Sequence, residues 1–167
     1  VIDPIGSIAT TSVKDWKKTF EVNLFACLTT LQHALPALRE SKGRVIFLSS
    51  DVALMALHGW GAYCSTKAAF KMFAEIFAME EPELTSVSIR PGLVDTDMTA
   101  TVRKEGVENM TPGQYAMFAS EKTEKSLPVR HPDEPGHVVA SLAVNAPASV
   151  HGKNLSWDEE ELKTHRK

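Results

Sequence analysis

A short apolar run, Val45-Ile46-Phe47-Leu48, standing between two long helix-patterned stretches, constrains this chain more than any other feature. Bounded by Arg44 and Ser49-Ser50, it shows no alternation, which suits a strand covered on both faces, and strands of that kind belong to parallel sheets. Thr85 to Ile89 alternates and is rich in branched residues, giving a second strand that Pro91-Gly92 stops abruptly. Leu155-Ser156-Trp157 reads as a last short strand before a charged tail. Helix and strand alternate along the chain, the pattern of an α/β protein with right-handed crossovers and a parallel sheet.

The helices follow from period and punctuation. Residues 1–11 read as loop, and Ser12 with Asp15 forms a capping-box pattern in which Asp replaces the usual Glu or Gln. From Val13 onward Trp16, Phe20, Leu24, Cys27, Leu28 and Leu31 recur at spacings of three and four. Pro36 is expected to kink or reset this helix and Gly43 to stop it. A loop holding Gly59 and Gly61 leads into a second helix, about 62–79, with Ala68, Phe70, Phe73, Ile76 and Phe77 as apolar positions and Pro82 beyond its end. Residues 93–134 are the least regular part and are expected to be loop with one or two short helices. His137 to Ala146 is expected to be a helix.

Composition narrows the function classes. The 167 residues suffice for one domain with a hydrophobic core, and 43% apolar with 23% charged residues is an ordinary globular balance. A net charge of −3 with interspersed signs offers no footprint for nucleic acid and no basic helix for a membrane surface. No apolar run approaches the ~20 residues needed to span a bilayer. Cys27 and Cys64 match no metal-ligand or CxxC spacing and read as reduced thiols in a cytoplasmic protein. Six histidines without HxxxH or HxH spacing give no metal site.

The chemistry concentrates between Ser50 and Lys67. Tyr63 and Lys67 are four apart at a helix start, so both side chains lie on one face. Ser50 closes the strand before them, where a parallel sheet opens toward its ligand crevice. A Tyr-x-x-x-Lys pair alone means little, because chance supplies many. Here it sits within apolar strand, Ser49-Ser50, Tyr63-x-x-x-Lys67, helix, strand and Pro91-Gly92-x-Val94-x-Thr96. This string resembles the short-chain dehydrogenase/reductase family across nearly the entire chain. Gly152-Lys153 before Leu155-Ser156-Trp157 resembles the closing strand of the sepiapterin reductase and benzil reductase branch, a shorter match.

The resemblance implies a nicotinamide-dependent reduction of a ketone- or diketone-type small molecule to an alcohol. Tyr63 would donate the proton and Ser50 would hold the substrate oxygen. Lys67 would lower the Tyr63 pKa and grip the cofactor ribose. Asn23 would complete a catalytic tetrad, although a helix-interior Asn bonded to nearby backbone is the alternative. Tyr63, Lys67, Pro91, Gly92, Val94 and Thr96 would contact the cofactor, with NADP the implied form and NAD the alternative. At an effective dielectric of about 20, an ammonium ~4–5 Å from the phenol would favour tyrosinate by ~3–4 kcal/mol. Trp60 and the methionines near the Leu93–Met98 turn could line an apolar pocket or simply pack. His58 reads as a solvent-facing loop histidine, and Asp51 has no evident role.

The family's Gly-rich turn, which cradles a pyrophosphate at a helix N-terminus, has no counterpart here. The chain opens on Val1, and the resemblance begins near the end of the family's fourth strand. Roughly the first third of a complete enzyme is therefore expected upstream. The expected fold is a single domain over 1–167, a partial Rossmann-like doubly wound parallel sheet lacking its N-terminal βαβ cofactor-anchoring strands. The strand at 45–48 would then be an apolar edge that invites aggregation. Family members commonly pair the helices corresponding to 13–40 and 62–79, which implies a homodimer or tetramer. The competing reading is a non-catalytic interaction or dimerisation module descended from such an enzyme.

Overall fold

The computed structural model describes residues 1–119 and 123–166, so the expectations for 120–122 and for Lys167 lie outside the described residues. Helix α1 (Val13–Phe20) opens on Ser12, whose hydroxyl accepts the Asp15 N–H at 3.1 Å and donates to Asp15 Oδ2 at 2.6 Å. It passes through a π-helical turn at Glu21–Phe25 into α2 (Ala26–Ser41). Helix α2 runs through Pro36 as one continuous element. Pro36 strips only the Gln32 carbonyl of its helical donor, and Gln32 is exposed to water. The irregularity falls one turn after Trp16 and Phe20 instead, around the buried Asn23.

Strand β1 (Arg44–Leu48) pairs in parallel with β2 (Thr85–Arg90), Phe47 opposite Ser88, and β2 pairs in parallel with β5 (Asn154–Ser156). The order β1-β2-β5 leaves β1 at the edge. Helix α3 (Gly61–Glu80) crosses between β1 and β2. Phe70, Phe73 and Phe77 from α3 surround Phe47 edge-on, with ring centroids 5.6 to 5.8 Å away. On the other face, α6 (Asp133–Asn145) sets Val138 and Leu142 against Val87, Ile89 and Leu155. Helices thus cover both faces, which is why β1 reads as a nearly unbroken apolar run.

The stretch 93–134 is more regular than its sequence promised. It contains β3 (Leu93–Val94) paired in parallel with β4 (Val129–Arg130), the 13-residue α4 (Asp97–Asn109) and the four-residue α5 (Pro112–Tyr115). The buried stripe of α4 is Thr99, Val102 and Gly106, helically spaced but too small and polar to register as an apolar face. Helix α6 begins four residues before the expected His137. Pro135 falls in its first turn, where a missing N–H costs nothing.

Gly59 sits where α4 ends against the loop before α3. Its φ is +82°, and a Cβ there would lie 2.4 Å from the Asn109 carbonyl oxygen. Gly59→Ala combines left-handed strain of roughly 1–2 kcal/mol with a backbone clash. A melting temperature lower by several degrees is expected, and an unchanged one would show that the end of α4 yields freely.

Candidate active site

Ser50 follows β1 and begins a 3₁₀ turn at Asp51–Ala53, its hydroxyl accepting the Val52 N–H at 3.4 Å. Tyr63 and Lys67 occupy the first turns of α3 and face the same side, as their spacing requires. The Tyr63 phenol is buried and shares the cavity wall with the Ser50 hydroxyl, close enough to feel it electrostatically. Its ring meets Trp60 edge-on at 5.8 Å. Lys67 is half-buried, its ammonium donating to the Leu48 carbonyl at 2.9 Å and lying 5.9 Å from the Tyr63 ring centre.

The electrostatics differ in sign from the sequence expectation. Burial pushes the Tyr63 phenol above its ordinary value, and the nearby Ser50 hydroxyl opposes it without prevailing. Lys67, drawn to the carbonyl at the end of β1, is not among the groups that move Tyr63. Burial lowers the Lys67 ammonium in turn, since a charge held in a poorly solvated niche prefers neutrality.

Seven of the eight expected site residues line one cavity of about 580 Å³: Ser50, Tyr63, Lys67, Pro91, Gly92, Val94 and Thr96. Asn23 stands behind it. Its side-chain amide donates to the Val1 carbonyl at 2.8 Å and to the Thr66 hydroxyl at 3.1 Å. Its side-chain oxygen accepts the Val1 N–H at 2.9 Å. Thr66 in turn donates to the Tyr63 carbonyl at 2.8 Å. Asn23 thus ties the first residues of the chain to α3 rather than serving its own helix. Thr66 had no sequence signal beyond its position within Tyr63-x-x-Thr66-Lys67.

The remaining walls are apolar. Trp60, Met55, Met98, Met117, Phe118 and Val102 all border the cavity, so the aromatic and methionine residues do form a pocket. His58 is exposed, with its ring against the Asn109 carbonyl at 3.0 Å, and it does not border the cavity. Asp51 pairs with Arg90, whose Nε donates to its Oδ1 at 2.9 Å. Cys27 and Cys64 are free thiols, both half-buried. Among the described residues no helix is long and apolar enough to cross a membrane.

The nicotinamide end of a dinucleotide fits these residues. The Lys67 ammonium has three donors and gives one to Leu48, which leaves two for ribose hydroxyls. Gly92 has φ of +71°, and a Cβ there would meet only Trp157 Nε1 at 3.7 Å, so Pro91-Gly92 is an open turn beside the cavity. Thr96, at the N-cap of α4, adds a helix N-terminus to the rim.

A parallel sheet wound on both faces, with Ser50, Tyr63 and Lys67 gathered at its carboxyl edge, is a Rossmann-like α/β arrangement with its cavity where such sheets open toward ligands. The chain belongs to the short-chain dehydrogenase family, whose model matches residues 2–106. It is 35% identical over 164 residues to an uncharacterized oxidoreductase of Saccharomyces cerevisiae, an alignment covering 97% of this chain and 64% of that one. A benzil reductase ((S)-benzoin forming) of the same yeast is 33% identical over 172 residues, covering 97% and 65%. A crystal structure of a Saccharomyces cerevisiae short-chain dehydrogenase/reductase superposes with a TM-score of 0.91 at 34% identity, covering all of this chain and 66% of that one. The chain therefore spans just under two thirds of the length of these relatives.

Proposed function

We propose that the protein carrying this sequence reduces an uncharged, largely apolar ketone or 1,2-diketone to the alcohol, with NADPH as cofactor. The observation that supports this best is the convergence of Ser50, Tyr63 and Lys67 on one largely apolar-walled cavity. The similarity to benzil reductases points to the diketone class.

The reduced nicotinamide supplies the hydride when bound. The chain's own residues handle the oxygen that gains charge. Ser50, fixed by its turn, donates a hydrogen bond to that oxygen, and Tyr63 delivers its proton. Lys67 holds the ribose and places a positive charge near the phenolate left behind. Asn23, through Thr66, fixes the turn of α3 that carries both. Pro91, Gly92, Val94 and Thr96 border the space for the nicotinamide ring. The apolar walls suit an uncharged substrate, and Lys67, the cation in the lining, is taken up by the ribose.

The raised Tyr63 pKa sets the pH behaviour. The phenol keeps its proton through neutrality, so kcat/KM for reduction is expected to be flat there and to fall only in the alkaline range. Alcohol oxidation needs the deprotonated group and should rise with pH over the same range. Reduction of a panel of aryl diketones by the intact protein, followed by NADPH absorbance with NADH as comparison, tests the assignment. Failure to reduce any member, or a preference for keto acids over matched diketones, would overturn it.

We further propose that the complete protein is a homodimer or tetramer in the cytoplasm. Met72, Ile76 and Met79 support this, forming an exposed apolar stripe at helical spacing on α3. A monomer by light scattering would remove that proposal.

A further inference from the structure

We infer that Arg90 is a positioning residue of this site: braced on β5, its guanidinium holds Asp51 and, through it, the turn that presents Ser50. The inference rests on the reduction proposed above.

An arginine ending a buried strand is costly to desolvate unless every face of its fork is satisfied. The Arg90 side chain is only 14% exposed, and all three of its nitrogens are engaged. Nη1 donates to the Asn154 carbonyl at 2.8 Å and to its side-chain oxygen at 3.1 Å, which fastens the guanidinium to β5. Nη2 donates to Glu159 Oε1 at 3.3 Å, and that same oxygen accepts the Ser156 N–H at 2.7 Å. Nε is left for Asp51, at 2.9 Å.

The planar fork therefore fixes the direction of the last donor, which a lysine could not do. Asp51 is 54% exposed at its side chain and borders the cavity directly after Ser50. Val52 anchors the inner side of the turn in the apolar cluster, and the tether at Asp51 fixes its outer side, next to Ser50. Arg90 also immediately precedes Pro91-Gly92. One guanidinium thus references the substrate-oxygen side and the cofactor side of the cavity to the same three strand ends. Displacement of a reacting group by about 1 Å can cost on the order of a hundredfold in rate, so the tether matters to chemistry while contributing little to the fold.

The test is hydrogen exchange on the intact protein, alongside steady-state kinetics, for Asp51→Asn, Arg90→Lys and Asp51→Glu. In Asp51→Asn the amides of residues 51–54 are expected to exchange roughly tenfold faster, with those of β1 unchanged. Turnover should fall about tenfold, with KM for the cofactor within about twofold of wild type and partial recovery in Asp51→Glu. In Arg90→Lys, faster exchange in the turn should be joined by a higher cofactor KM. Unchanged exchange at 51–54 in Asp51→Asn would overturn the inference, as would a loosened turn with undiminished turnover. A loosened turn in a protein whose wild type reduces no carbonyl would instead sink the proposed reaction and leave the tether standing.

Discussion

Tyr63→Phe in the intact protein is expected to lose about 10²–10⁴-fold in turnover of a carbonyl substrate, the range associated with a positioned proton donor. The substitution removes one oxygen. Phe at this position keeps the edge-on contact with Trp60 and the place in the apolar cluster with Val52, Leu57 and Met110. At most one hydrogen bond of the hydroxyl is lost, while Ser50 keeps the Val52 N–H. One hydrogen bond is worth roughly 1 kcal/mol, so the thermal transition should move by only a few degrees. Turnover and thermal melting measured together separate the two effects. A Phe variant within tenfold of wild type would place the proton donor elsewhere.

Phe47→Ala is expected to produce the largest loss of stability, about 3–5 kcal/mol. Phe47 is 5% exposed and lies within 5.6 to 5.8 Å of three phenylalanine rings of α3. Alanine would leave a void that these rings cannot close without lifting α3 from the sheet. Against a typical total of ~5–15 kcal/mol the loss is severe. At roughly 2–4 °C per kcal/mol for a chain of this size, the melting temperature should fall by about 6–20 °C. Denaturant titration should show the midpoint moving with little change in slope, and Phe47→Leu should recover part of the shift. A shift worth less than 1 kcal/mol would mean that this cluster is not the core of that face.

What the sequence disclosed and what it concealed divide along physical lines. The Ser50, Tyr63 and Lys67 convergence was legible because helical spacing and strand polarity fix it locally. The Pro91 to Thr96 segment was legible because Pro-Gly punctuation marks the turn. The long helix α4 was not, because its buried stripe uses Thr99 and Gly106, which carry little hydrophobic signal. Pro36 lies within α2 without ending it, because one missing donor on a solvent face does not terminate a helix. The π-helical turn at Asn23 had no sequence marker. Asp51 remained unexplained for a different reason: its partner is 39 residues away, and no local pattern announces a contact at that distance. The sign of the Tyr63 shift depended on burial and on the Leu48 carbonyl drawing Lys67 away, which spacing cannot report.

The bonds that converge on Arg90 also bear on the order in which the molecule assembles. They reach 39 residues back to Asp51 and 64 and 69 residues forward to Asn154 and Glu159. Contacts at such separations are reached only after long loops have closed, and they form late. A nascent chain that has emerged past Lys67 already carries the serine, tyrosine and lysine. The brace on β5 must wait until Asn154 and Glu159 have been made. In refolding, recovery of helix should therefore run ahead of recovery of turnover, and the interval between them is the time β5 takes to dock.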